Sequence, residues 1–525
     1  MTKMTKRVFV TLCAASMLAS VGLSSCSGDS GSSTASTGSD TTASTGTSES
    51  SESEEPTTIR IFNRLNAEVA VEDNPLLAEI ENRLNLVIEY EAPPINNYNE
   101  RLQITMASGD LPDIIYNWGG ADSNYEQWAA DGLLAELDDY IPNYENIVAN
   151  VPESMMEAMR STNTGKIHAI AKPNMVNYWG MVINQQWLDN LDLEVPTTLD
   201  EFKEVMHAFT YDDPDGNGVD DTYGFSTAVT GTAVDIPYIS NAFGLGDVVD
   251  KDGNPSTRYC RTEYIDYLEF LRECYLDGSF DPEYFTNAYM ADAEKLRAQT
   301  IGAYSSFQTG VHQQLAYMDE ETCLSTFTYA APLENVYTGK PTVYSAPPIW
   351  GCWMISADAD VEKCLELIDW GNGDEGFVLM NLGIEGVDYE SYDAEAHSVV
   401  RTTEQAETLK TYSSSYFTFA FAKDGFPAIY ENVDNEARVE KFNKDFDAVL
   451  AVTELIETPT IKSNLVNNFD ADNPDLITER SEMETAFVVG EIDRAAFEDF
   501  INNTYIPAAA AMEEEYAAAY EALGE

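Results

Sequence analysis

Three segments near the start of the folded part alternate strand and helix patterns so closely that few architectures can hold them. "TTIRIFN" (57–63) alternates apolar and polar residues as a strand does, and "NPLLAEIENRLNLVIEYEA" (74–92) reads as a helix running into a second strand. "NERLQITMASGDLPDIIYNWGG" (99–120) adds a helix, a Gly-Asp-Leu-Pro turn and an apolar strand ending at Tyr116, Asn117 and Trp118. Strands that alternate with helices at this spacing predict a parallel sheet with helices on its faces. In such sheets ligands meet residues just beyond the strand C-termini. Residues 63–66 and 116–120 are therefore candidate binding loops by geometry alone.

The pattern continues with an apolar strand near 178–184 and a helix at 185–191. "PTTLDEFKEVMHAF" carries a capping Thr or Asp before a periodic helix. Asp/Gly loops, the helix "EYIDYLEFLRECYLDG", the helix and strand of "DAEKLRAQTIGAYSS", and "PPIWGCWMISADADVEKCLELIDW" follow. The last hundred residues read as largely helical, ending in "AAAAMEEEYAAAYEAL", and no internal repeat is visible.

Ahead of the folded part, Lys3, Lys6 and Arg7 precede an apolar run from Val8 to Leu23 and small residues before Cys26. That is the order of an export signal, and 16 apolar residues fall short of the roughly 18 to 20 that span a bilayer. Leu23-Ser24-Ser25-Cys26 resembles the bacterial lipobox, which implies cleavage after residue 25 and a lipid on the Cys26 thiol. From Ser27 to Thr58 the chain is almost all Ser, Thr, Gly, Ala and acids, so residues 26–58 are expected to be a flexible tether. Its 32 residues after Cys26 would hold the rest about 30 Å from the lipid.

The 467 residues beyond the tether exceed what one core usually serves, so two lobes are expected. Without the signal, 25 basic residues face 91 acidic ones, a net charge of −66. This excludes nucleic acid, whose phosphates need clustered Lys and Arg. It also favours neutral glycans over polyuronates unless an arginine such as Arg64 lines the site. Five cysteines remain, Cys260, Cys274, Cys323, Cys352 and Cys364, an odd number with no CxxC. They read as buried free thiols rather than a disulfide framework or a zinc site.

Several stretches together carry a family resemblance: "SGDLPDII", "DGLLAELDDYI", "GKIHAI", "INQQWLDNLDLEVPTTLDEFKEVMHAF", "DPDGNGVDDTYGF", "AQTIGAYSS" and "GIEGVDYE". With the lipobox and tether, they resemble the extracellular solute-binding lipoproteins of bacterial ABC carbohydrate importers, in the branch of the LplA-like and alginate-oligosaccharide binders. The resemblance runs from about Ile59 to the C-terminus. It implies a two-lobe periplasmic-binding-protein-like α/β fold of the class II type. Each lobe would hold a central sheet flanked by helices, with a hinge between them and a helix-rich C-terminus. The lobes would comprise 59–178 with 354–420 and 179–353 with 421–525. It further implies a monomeric, non-catalytic receptor on the outer face of the cell membrane, attached through its lipid alone. Such a receptor hands an oligosaccharide to permease subunits, and the long tether favours a Gram-positive membrane. A tethered glycoside hydrolase and a glycan-binding adhesin are the alternatives.

A sugar site needs aromatic platforms for CH faces and polar side chains for hydroxyls. Trp118, Trp179, Trp350 and Trp353 lie at strand ends or expected lobe crossings and are the candidate platforms, although some of any such set are core. Asp113 would either accept sugar hydroxyls or cap its turn. Asn63, Arg64, Asn66, Asn117, Tyr304 and Glu385 complete the candidates. Arg64 would pair with a uronate if it faces the cleft and means little if it lies on the surface.

"DDPDGNGVDD" alternates oxygen donors at Asp213, Asp215 and Asn217, adds the Val219 carbonyl and Asp221, and has Gly216 and Gly218 for the turn. Hard oxygen ligands at this spacing suit Ca²⁺. The twelfth position is Gly224, where an EF-hand has Glu, so this is no helix-loop-helix sensor. The loop resembles the calcium loop of the alginate-binding relatives, which commonly ends in Asp-Glu, whereas Thr222 follows Asp221 here. A structural calcium ion is expected, with a metal-free Asx turn as the alternative. His168, His207, His312 and His397 are scattered, and no HExxH, GxSxG or Walker loop is present, so no catalytic residue is nominated.

Overall fold

The computed structural model describes residues 55–523 except 66–70, 95–96, 119, 175–178, 228–235, 288–289, 308–309, 312–313, 316–317, 346–348, 415–416, 421–422, 424–425, 427–434, 460 and 462. The export signal, Cys26 and nearly all of the tether lie outside these residues.

The first sheet begins with β1 (Thr57–Phe62), two residues before the boundary expected from the sequence. Its Ile59, Ile61 and Phe62 are buried. Helix α1 (Pro75–Leu84) starts where the Asn74 side chain accepts from the Leu76 and Leu77 amides. It stops at Asn85, which takes the left-handed conformation that ends helices. β2 (Leu86–Glu91) then pairs in parallel with the whole of β1. Helix α2 (Tyr98–Ser108) leads through a left-handed Gly109 to β3 (Ile114–Asn117), which is buried throughout and parallel to β1. β4 (Ala169–Pro173) is also wholly buried.

The chain then builds a second sheet from β5 (Trp179–Asn184), β6 (Tyr223–Phe225), β7 (Ile301–Phe307) and β8 (Phe327–Ala330), in the order β6-β7-β5-β8. β9 (Thr342–Ser345) lies apart from this sheet and pairs in parallel with the later segment Glu454–Glu457. After β9 the chain returns. β10 (Ile349–Ile355) inserts between β3 and β4, antiparallel to both, giving the order β2-β1-β3-β10-β4. The expected boundary at 353/354 therefore falls inside a strand of the first sheet.

Each sheet has its own core. Ile59, Ile61, Ile115, Ile170, Met354 and Phe419 belong to one continuous buried cluster. Met181 and Ile183 of β5 enter a second, with Phe202, Phe209, Leu268 and Phe497, while Val182 between them faces a third with Phe442. Alternate residues of one strand thus feed the two faces of its sheet. The second helix after β5, Leu199–Tyr211, opens with a full capping box between Thr198 and Glu201. The end of the chain is helical, at Glu436–Leu450, Asn464–Asp472, Pro474–Val488, Arg494–Phe500 and Ile506–Ala522. The five cysteines beyond residue 54 are free; Cys260 is half-buried and precedes its helix, and the other four are buried.

Candidate functional site

β1, β3 and β4 all end at the same edge of the first sheet, and the antiparallel β10 begins there. Residues carried on these ends must meet: Asn63 and Arg64, Tyr116 to Trp118, Lys172, and Trp350. At this edge the chain leaves β4 on its way to β5 of the second sheet, and returns after β9 to enter β10.

The Arg64 guanidinium carbon lies 3.8 Å from the Trp118 ring centroid. Trp118 meets Trp350 edge to face, with centroids 5.7 Å apart and planes at 66°. Tyr116 donates its hydroxyl to the Trp350 carbonyl at 2.5 Å, fixing β10 to β3. The Lys172 ammonium sits 5.4 Å from the Tyr116 and Trp350 rings and 5.3 Å from the Trp353 ring. Trp118 is 38% exposed, whereas Lys172 is 0% exposed. Burial, then the Arg64 charge, holds the Lys172 amine well below the usual lysine range.

A bulge aims Trp350. The register between β10 and β4 shifts between Ile349 and Cys352, and Gly351 within it has φ 134°. A Cβ at Gly351 would come within 2.6 Å of both the Asn117 carbonyl and the Tyr116 hydroxyl, so glycine alone lets the strands close here.

The other candidates separate by what their side chains touch. Asn63 is fully buried; its amide donates to the Tyr90 hydroxyl at 2.6 Å and its oxygen accepts from the Arg64 N–H at 2.7 Å. Asn117 donates to the Gly120 carbonyl at 2.7 Å and to Asp122 at 3.2 Å. Both asparagines shape the loops that present Arg64 and Trp118. Asp113 precedes β3, at the opposite edge, and accepts from the Arg60 N–H at 2.7 Å, which makes it a turn residue. Trp353 is a core residue at 1% exposure: its indole donates to the Phe419 carbonyl at 3.1 Å and its ring packs on Phe419 and Tyr116. Tyr304 is likewise buried, in the third core cluster. Glu385 is exposed on a turn bridged to Tyr389. Trp179, half-buried, opens β5 opposite Phe307. Asn66 lies outside the described residues. Lys172 was missed in the sequence, where its signal is a lone lysine inside "AIAKP", a strand that is otherwise apolar.

The Asp-rich loop is compact. Asp213, at φ 50°, accepts from the Gly218 N–H at 3.1 Å. The Asn217 amide donates to Asp215 at 2.7 Å and to Asp221 at 3.2 Å, and its oxygen accepts from the Val219 N–H at 2.7 Å. Thr222 is buried and donates to the Phe209 carbonyl at 2.8 Å, so it turns away from these oxygens. Gly224 packs against the Met206 backbone, where an added Cβ would meet the carbonyl at 2.4 Å. Among the described residues, no three or more His, Cys, Asp or Glu side chains are already disposed as a metal cage. The oxygen donors are nevertheless the right kind for Ca²⁺, and Asp215 and Asp221 come within reach of one nitrogen.

Residues 74–351, more than half of the chain, match the model of the bacterial extracellular solute-binding protein family. Lipoprotein LipO of Bacillus subtilis is 24% identical over 457 residues, covering 83% of this chain and 87% of LipO. The fructooligosaccharide ABC transporter substrate-binding protein FusA of Streptococcus pneumoniae is 30% identical over 227 residues, 40% of this chain and 42% of FusA. The structure of FusA in complex with kestose superposes with a TM-score of 0.67 over 89% of this chain and 99% of FusA, at 19% identity. FusA has also been solved as an EF-hand mutant with fructo-nystose. The polygalacturonan/rhamnogalacturonan-binding protein YtcQ of Bacillus subtilis is 25% identical over 323 residues, 60% of this chain and 63% of YtcQ.

Proposed function

The chain belongs to the bacterial extracellular solute-binding protein family, and from that premise we propose that it captures an oligosaccharide and delivers it to the permease of an ABC importer. The observation that carries the reading is the Trp118–Trp350 pair, held with Arg64 at the edge where the chain passes between its two sheets. Indole faces stack on the CH faces of sugars, and an arginine beside them binds oxygen atoms in pairs.

In this reading residues 55–174 and 349–420 form one lobe, and 179–345 and 435–523 the other. Closure of the second lobe over the ring pair would bury the glycan and create the surface the permease recognises; occupancy is coupled to import because only the closed form is stabilised by ligand. Cys26 would carry the lipid that holds the receptor on the outer face of a Gram-positive membrane, as a monomer on its tether. Asp213, Asp215, Asn217 and Asp221, with the Val219 carbonyl, would hold a structural Ca²⁺. The EF-hand named in the FusA mutant supports such a loop in this family. The binding function requires no catalytic group. FusA's kestose is neutral and YtcQ's polymer is acidic, so these relatives leave the charge of the cargo open.

A thermal-shift screen against an oligosaccharide panel tests the reading. A ligand at 100 times its Kd adds about 2.7 kcal/mol of stability. A stoichiometric hit with the glycan recovered intact supports a receptor. Recovered fragments would make the protein a hydrolase, and a panel without any hit would remove sugars as cargo.

A further inference from the structure

We propose that Asp122 is the specificity-determining acceptor of the Trp118–Trp350 site, where its carboxylate takes a hydrogen bond from one hydroxyl of the sugar unit that stacks on the indole. The proposal rests on the oligosaccharide reading of that site and adds the polar group that decides which unit is accepted.

Aromatic faces hold a sugar without telling its hydroxyls apart, so a site with a preference needs a fixed polar group beside them. The candidates named from the sequence are placed otherwise. Asn63 and Asn117 donate to Tyr90 and Gly120 within their own loops, Asp113 stands at the opposite edge with Arg60, and Glu385 lies on a separate turn.

Asp122 is at the right edge. It follows Trp118 by four residues, and the amide of Asn117, the last residue of β3, donates to its Oδ1 at 3.2 Å. The same amide donates to the Gly120 carbonyl at 2.7 Å, which also receives the Cys352 thiol at 3.6 Å. Gly120 and Asp122 are thereby fastened to the end of β3 and the first half of β10, the elements that carry Trp118 and Trp350. Asp122 also caps α3 (Ser123–Ala130), with the Tyr125 N–H donating to Oδ1 at 2.9 Å. The helix Asn464–Asp472, whose Phe469 belongs to the second core, packs against α3. The carboxylate therefore sits at the head of a helix that lies where the two cores approach each other.

Its hydrogen-bonding capacity is not filled. The Asn117 and Tyr125 contacts both fall on Oδ1 and the Asn124 N–H is a third donor, whereas a carboxylate accepts about four. The group is half-buried, and burial pushes its pKa up. A partly desolvated carboxylate with room for another donor gains from one, and a sugar hydroxyl makes the charge-assisted bond that is stronger than a neutral one. The same charge repels an acidic group at that position, so the unit held there is neutral with a free hydroxyl.

Asp122→Asn separates this role from the helix cap. Asn and Asp cap about equally well, and the Asn oxygen can keep both Oδ1 contacts while an amide replaces the other oxygen. The test measures the full-length protein by calorimetry against kestose, maltotriose, cellotriose, mannotriose and xylotriose, then against monodeoxy analogues of whichever binds. One deoxy analogue should bind the wild type about tenfold or more weakly than its parent. Asp122→Asn should bind the parent and that analogue alike, at the weaker level, with its urea midpoint kept. Asp122→Ser, another capping residue, removes the outer oxygen by shortening the side chain and should behave the same; it decides the matter if circular dichroism shows the Asn variant unfolded. Parent binding unchanged in these variants, or equal losses from every analogue in wild type and variant, would overturn the role of Asp122 and leave the oligosaccharide reading standing. No binding of any of these glycans by the wild type would overturn both.

Discussion

The Arg64 guanidinium sits over Trp118, its carbon 3.8 Å from the ring centroid. The two residues are 54 positions apart, and a parallel sheet brings them together: Arg64 lies two residues beyond β1, Trp118 directly follows β3, and β1 and β3 are paired neighbours. Trp350 joins them from much later in the chain because β10 enters the same sheet in the opposite direction. Topology, rather than proximity in sequence, assembles the site.

Replacing Trp118 by alanine separates ligand binding from folding. The ring is partly exposed, so its removal should change the midpoint of urea unfolding little, while binding loses both the sugar platform and the contact that orients Arg64. A cation–π contact at such a site contributes roughly 0.5–1 kcal/mol, and loss of stacking adds to it, so affinity should fall about tenfold or more. Unchanged affinity by calorimetry would show that the sugar lies elsewhere.

Lys172→Met should stabilise the protein near neutral pH. The folded-state pKa lies below the unfolded one, so the unfolded chain binds more protons between the two values, and stability of the native protein rises with pH across that window. Below the folded pKa both states are charged and the full penalty is present; above the unfolded value of about 10.4 it has gone. The gain from Met should thus be greatest at low pH in the window and vanish toward pH 10. Denaturant melts of both proteins from pH 6 to 10 measure it, and a gain independent of pH would assign the effect to packing.

Much of this was legible in the sequence, for reasons that particular residues show. Periodicity located α1, β3 and the helix after Thr198, because propensity, caps and burial agree there. Strand ends gave Arg64 and Trp118 as candidates because parallel sheets place ligands at that edge. Trp353 and Tyr304 misled because a strand residue's face depends on register and on the neighbouring strand, and β10 acquires its neighbours only by inserting between β3 and β4. Lys172 was hidden for the same reason: its ring partners Tyr116, Trp350 and Trp353 come from strands distant in sequence.

Gly351→Ala should destabilise strongly. The residue combines φ 134° with backbone and hydroxyl oxygens 2.6 Å from the position of a new Cβ, so both the backbone conformation and the space oppose a side chain. Backbone strain of this kind costs of order 1–3 kcal/mol, and the steric contact adds to it. Relief requires β10 to move from β3, which would also displace Trp350. Urea unfolding should show the loss in stability, and calorimetry a weaker glycan affinity in whatever fraction remains folded. A variant of native stability would mean the bulge relaxes without cost.

Calcium should stabilise the protein through residues 213–221. Asp215 and Asp221 are close enough to share the Asn217 amide nitrogen, and the four aspartates in these nine residues, Asp213, Asp215, Asp220 and Asp221, repel one another unless a cation lies between them. Rotating the Asn217 amide would turn an oxygen inward and complete a donor set of three carboxylates, one amide and the Val219 carbonyl, with water making up the six to eight ligands Ca²⁺ takes. Thr222 and Gly224 supply no further carboxylate, so affinity should resemble that of weak extracellular modules, with Kd of order 10⁻⁴ M. At about 10 mM calcium, 100 times that Kd, stability should rise by about 2.7 kcal/mol. Chelator should remove the gain, and Asp215→Asn or Asp221→Asn should abolish the response without changing the chelated baseline by a comparable amount. If calcium leaves the melting curve where it was, the loop is an Asx turn held by its own hydrogen bonds, and the two substitutions should then alter stability only through the Asn217 contacts they weaken.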